Sequence, residues 1–148
     1  MSTMKLSRKE QVLVAITYTI FILAFFLPAY DGAFFTDPGK GIRISGWEAF
    51  REALGGGWYA VVSALTNFLV LTSLAAIFSA NRRLAMVHLI AIPASFLFNL
   101  WWLLDSKDIL DSGLSWGYFL WLASFALLTS VLWIRTTYPK PASSSSFP

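Results

Sequence analysis

Four stretches of this chain, 11–30, 58–80, 84–104 and 116–134, contain no Asp, Glu, Lys or Arg. Each comes close to the roughly 20 residues that a helix needs to cross the hydrocarbon of a bilayer. Only 13% of the 148 residues are charged and 57% are hydrophobic, against about 25% charged in a soluble domain. A soluble chain of this length would build one core, yet too little polar surface is left over to cover one. The sequence therefore predicts an all-α membrane protein, a four-helix transmembrane bundle with lipid as its surrounding partner. Residues 1–135 form the membrane domain in this reading, and 136–148 form a disordered tail rich in Pro and Ser.

The first apolar stretch follows Lys5, Arg8 and Lys9, as the core of a signal peptide would. A signal peptide has a shorter apolar region, about 7 to 15 residues, and small residues at its cleavage site. Leu27, Pro28 and Ala29 fit such a site poorly, so this stretch is expected to be a retained span. Pro28 should end its helix, because proline lacks a backbone donor and biases the residue before it away from helix.

Orientation follows from the basic residues. Lys5, Arg8, Lys9, Arg82, Arg83, Arg135 and Lys140 fall on one side with a single acid, Glu10. Lys40, Arg43, Arg51 and Lys107 fall on the other with the remaining seven acids. Short loops rich in Lys and Arg stay cytoplasmic, so both termini are expected inside and residues 31–57 outside. Trp47, Trp58, Trp101, Trp102 and Trp116 gather near the outer boundary, where amphipathic rings prefer to sit.

The outer module 31–57 is the one long segment that lipid does not dictate. Ala33–Thr36 and Ile42–Ile44 flank Asp37-Pro-Gly-Lys-Gly41, and a turn-rich centre between β-prone runs predicts a small hairpin. Ser45-Gly-Trp-Glu48 fits a capping box, in which serine and glutamate side chains satisfy amides at a helix start. A helix from Gly46 to Leu54 should follow, with Trp47, Ala49, Phe50, Ala53 and Leu54 on one face and Glu48, Arg51 and Glu52 on the other. Gly55-Gly-Gly57 then stops it. Such a helix is expected to lie flat at the interface or against the bundle top.

Few residues in the spans could carry chemistry. Pumps, ion-coupled transporters and voltage sensors place charged residues within the membrane, and these spans hold none. His88 is the single histidine, and with no cysteine present a haem, zinc or other metal site would lack a second nitrogen or sulfur ligand. The same absence excludes disulfides and thiol catalysis. Asp105, Asp108 and Asp111 match no calcium loop, and no nucleophile elbow or phosphate loop occurs. No catalytic residue, cofactor, metal or nucleic-acid partner is expected.

Asn67 and Asn99 are the most polar groups at depth, about 13 Å and 7 Å from their outer span ends at a helical rise of about 1.5 Å per residue. Their carboxamides should bond between helices. Pro93 sits mid-span and should bend its helix or free the carbonyl of Leu89. With Trp102, these residues outline a candidate lipid or small-molecule cavity. Ala60 with Ala64, Thr72 with Ala76 and Ala91 with Ser95 allow close helix contacts.

Phe26-Leu-Pro-Ala-Tyr30, Ile44-Ser-Gly-Trp-Glu-Ala-Phe50 and Gly117-Tyr-Phe-Leu-Trp-Leu-Ala-Ser124 resemble segments of small uncharacterised bacterial four-span membrane proteins. That resemblance brings no activity with it, and the location expected for such a chain is a bacterial inner membrane. The large first outer loop is also similar in layout to claudin-like proteins, whose paired-cysteine signature is absent here. The resulting expectation is a non-enzymatic accessory or structural subunit. Its outer aromatics Phe34, Phe35, Trp47 and Phe50 would meet a protein partner or a second copy. The competing expectation is a lipid or small-molecule binding bundle, or a passive oligomeric pore.

Overall fold

A computed structural model describes residues 6–32, 42–79, 81–105 and 113–137, with the backbone alone at 31, 32, 42 and 102–105. The described chain forms α1 (Arg8–Phe26), β1 (Pro28–Gly32), β2 (Ile42–Ser45), α2 (Gly46–Leu54), α3 (Trp58–Phe78), α4 (Arg82–Asp105) and α5 (Trp116–Thr137). Among the described residues the helices α1, α3, α4 and α5 are long and apolar enough to cross a membrane.

The first helix starts earlier and stops sooner than the apolar run suggests. Ser7 caps it, with Glu10 returning its carboxylate to the Ser7 amide at 2.6 Å. That Ser-x-x-Glu spacing is a capping box readable in the sequence. At the other end Leu27 turns extended, with φ −85° and ψ 155°, the geometry imposed on a residue that precedes proline. Residues 28–30, expected to finish the span, instead open a strand.

β2 pairs antiparallel with β1, with Tyr30 opposite Ile44 and Gly32 opposite Ile42, and Ala33–Thr36, the run expected to pair with it, lies outside the described residues. The ladder is irregular between Pro28 and Tyr30, consistent with a proline that cannot donate to it. Residues 33–41 and the tail from 138 lie outside the described residues.

α5 is the helix that joins the others: it packs most extensively on α1 and α4, and α3 packs on α4. Phe125, Ile77, Ile92, Leu128, Leu132 and Val70 are fully enclosed. Small and polar side chains are enclosed with them, including Thr17, Ser73, Ser124, Ala76 and Asn99. The expected small-residue pairs each supply a buried member, Ala64, Ala76 and Ser95. Outside, large apolar side chains dominate, with Ile90 69% exposed, Val87 60% and Leu97 60%. Water-soluble proteins enclose such residues and display polar ones.

α4 remains helical through Pro93, whose side chain is half-buried. Arg135 near the end of α5 donates to the Ile77 carbonyl at 2.6 Å. It thereby satisfies one of the last carbonyls of α3, which has no partner within its own helix. This bond, with Leu6 packed in the same cluster as Ile77 and Leu132, puts the start of α1, the end of α3 and the end of α5 together.

Candidate interaction site at the capped end

The opposite end is closed by a cap organised around β1. On one side β1 pairs with β2. On the other, Ser115 donates its amide to the Ala29 carbonyl at 2.9 Å, and Tyr30 bridges to Leu114. The strand thus ties the start of α1's return to the approach of α5. Gly46 donates its amide to the Leu27 carbonyl at 3.0 Å.

Two glycines make the cap close enough to form. A Cβ on Gly46 would collide with the Ala24 carbonyl oxygen and come within 2.9 Å of Phe25 Cα. One on Gly117 would stand 2.6 Å from the Pro28 oxygen and 2.8 Å from the Leu27 oxygen. Both glycines therefore press bare backbone against the same turn, 24–28. By contrast, a Cβ on Gly57 would meet nothing within 4 Å.

α2 begins at a complete capping box. Glu48 receives the Ser45 amide and hydroxyl at 2.8 Å each, and the Glu48 amide donates to the Ser45 hydroxyl at 3.3 Å. Those donations, the backbone one foremost, hold the Glu48 carboxyl below its ordinary range. Burial pushes the Tyr30 phenol up, and the nearby Glu52 carboxylate adds to the shift.

The amphipathic face of α2 divides its aromatics between two tasks. Phe50 is half-buried and meets Phe25 of α1 edge-on, with centroids 6.0 Å apart. Trp47 stacks on Phe50 at 5.7 Å yet remains 56% exposed. Phe50 is the anchor and Trp47 is the displayed ring. Phe26, Trp58, Trp101 and Trp116 are also exposed around this end. Phe34 and Phe35, expected to join them, lie outside the described residues.

Of the candidate cavity residues, Asn67 and Asn99 each engage their carboxamides with neighbours inside the fold. Asn67 Nδ2 donates to the Ala64 carbonyl at 2.9 Å, and Trp121 Nε1 donates to Asn67 Oδ1 at 2.7 Å. Asn99 Nδ2 donates to the Ser95 carbonyl at 2.7 Å, while the Ser63 hydroxyl donates to Asn99 Oδ1 at 2.6 Å. The Tyr118 hydroxyl donates to the Asn99 carbonyl at 3.1 Å, and its ring lies 5.6 Å from that of Trp121. The two carboxamides are thus bonded separately, Asn67 to α5 and Asn99 to α3, while Tyr118 of α5 holds the backbone carbonyl of Asn99. Among the described residues no buried side-chain polar atom lacks a partner. The side chain of Trp102 lies outside the described residues.

His88 is enclosed between α3 and α4. Its Nδ1 stands 3.0 Å from the Leu84 carbonyl, which can only accept, so Nδ1 carries a proton. Its Nε2 stands 3.0 Å from the Thr72 hydroxyl, which also lies 2.9 Å from the Phe68 carbonyl of its own helix. Among the described residues no group of three or more His, Cys, Asp or Glu is placed to hold a metal.

Reasoning from sequence missed Trp121 and Ser63, the interhelical partners of the carboxamides, and Tyr118, which holds the backbone carbonyl of Asn99. Tyr18 was missed as well: its hydroxyl reaches from α1 to within 2.9 Å of the Val70 carbonyl and 2.6 Å of the Ser73 hydroxyl on α3. Polar aromatics in apolar stretches were the available signal, since buried Tyr and Trp seek partners for their polar atoms. Comparison with protein-family models, with curated proteins and with solved structures finds no match to this chain.

Proposed function

We propose that this is a non-enzymatic integral membrane protein of four spans, with both termini cytoplasmic, whose outer cap docks on a protein partner in a bacterial inner membrane. Support for the membrane comes from four apolar helices carrying large apolar side chains outward and small or polar ones inward. Without a hydrophobic force between helices in lipid, small residues and interhelical hydrogen bonds drive association. The orientation rests on the bias of basic residues toward one end.

The observation that carries the docking role is Trp47, exposed on a short helix that backbone bonds, a capping box and Phe50 hold in place. A rigid, displayed indole is the kind of side chain that concentrates in protein interfaces. A cavity function draws no support from Asn67 and Asn99, because both carboxamides are already bonded inside the fold.

Purification of the full chain in mild detergent, followed by mass analysis, tests the reading. A partner recovered in stoichiometric amount and lost on Trp47→Ser, with expression unchanged, is the expected result. Equal recovery from the variant would remove α2 from the interface. A monomer without partner from the native chain would overturn the docking role.

A further inference from the structure

The end of the molecule opposite the cap has a different chemistry. Arg8 and Lys9 at the start of α1, and Arg82 and Arg83 at the start of α4, are all exposed there. Arg135 of α5 is half-buried and bound to α3. The described part of this end contains one carboxylate, Glu10, which is engaged by the Ser7 cap. Trp133 and Phe78 are 59% and 43% exposed on the helices that finish here. Aliphatic stems of Arg and Lys can lie along such apolar surface while their charges reach the headgroup level.

The helix starts at this end are not anion sites in themselves. Ser7 and Glu10 occupy the start of α1, and Asn81 Oδ1 accepts the Arg83 and Leu84 amides of α4 at 3.0 and 3.2 Å. Attraction for anions therefore falls to the side-chain charges, which sit on long flexible stems. Such a surface should recognise charge density rather than one headgroup shape.

We propose that this basic rim, Arg8, Lys9, Arg82 and Arg83, is a binding surface for the phosphodiester headgroups of anionic phospholipids. The inference rests on the membrane reading above, and one experiment separates the failure of either. The full chain is reconstituted in phosphatidylcholine vesicles with a trace of spin-labelled phosphatidylcholine or spin-labelled phosphatidylglycerol. Electron spin resonance then reads the motionally restricted fraction of each.

Phosphatidylglycerol should associate roughly fivefold better at low salt, about the factor that one cation near a charged surface contributes. The preference should vanish near 1 M salt, where the screening length falls to about 3 Å. Arg82→Gln with Arg83→Gln should reduce it, as should Arg8→Gln with Lys9→Gln if the first pair reconstitutes poorly. Arg51→Gln at the capped end should leave it unchanged.

Equal restriction of both lipids would overturn the proposal while leaving the membrane reading intact. Absence of any restricted lipid would overturn the membrane reading itself. Inorganic phosphate should compete no better than chloride of the same ionic strength. Selective competition by phosphate would replace the lipid surface with a discrete phosphate site.

Discussion

The cap and the helical interior are held together by different kinds of bond. In the cap, backbone meets backbone: Gly46 on Leu27, Ser115 on Ala29, β1 on β2. In the interior, side chains do the joining, as Trp121 reaches Asn67 and Ser63 reaches Asn99. The cap tolerates no added atom at two glycines, whereas the interior depends on polar atoms at a few chosen positions. The cap should therefore fail through steric collision, and the interior through unsatisfied polar groups.

Gly46→Ala should have the largest effect, destabilising by about 3 kcal/mol or more, since overpacking against backbone cannot be relieved by a rotamer change. Gly117→Ala should follow at about 2 kcal/mol by the same mechanism. Gly57→Ala should be near neutral. Thermal unfolding of the three variants in one detergent checks the order, and equal losses at all three sites would refute the steric account of the cap.

Asn67→Ala strands the Trp121 donor in a half-buried position and should cost about 1 to 2 kcal/mol. Adding Trp121→Phe to Asn67→Ala should recover part of that loss, because the orphaned donor is then gone. A double variant as unstable as the sum of the singles would deny the coupling.

Ser45→Ala should cost about 1 kcal/mol, the usual value of an N-cap. The same box gives a small pH dependence with a definite sign. The folded Glu48 carboxyl lies below its ordinary value of 4.5, so its contribution is complete above that value and fades as pH falls through the folded one. Ser45→Ala should flatten this acid limb, and an unchanged acid limb in the variant would assign it to other carboxylates.

Much of the helical layout was legible from one simple pattern: the long charge-free runs are the long helices. The α2 helix was legible for another local reason, its Ser-x-x-Glu start and its two faces. The strand at Pro28–Gly32 was not, because its pairing depends on where a distant segment comes to rest. Its composition is only weakly β-prone, and Ala33–Thr36 looked the better strand. Gly46 and Gly117 read as a helix start and a small residue in a span. Their role needs the backbone of residues 24–28 beside them, which no local pattern encodes. Asn67 and Asn99 announced themselves by polarity, while their partners on α3 and α5 were hidden in apolar stretches.

The central claim is that hydrocarbon, and not water, covers the outward faces of the four long helices. The chain contains no cysteine, so single cysteines can report on it without background. Ile90→Cys on the most open face of α4 and Arg51→Cys on α2 would be exposed in membranes opened to both sides to a water-soluble, membrane-impermeant maleimide. Arg51→Cys should label at once, and Ile90→Cys, though 69% exposed by the fold, should label only after denaturation in detergent. Equal, rapid labelling of both before denaturation would contradict the claim.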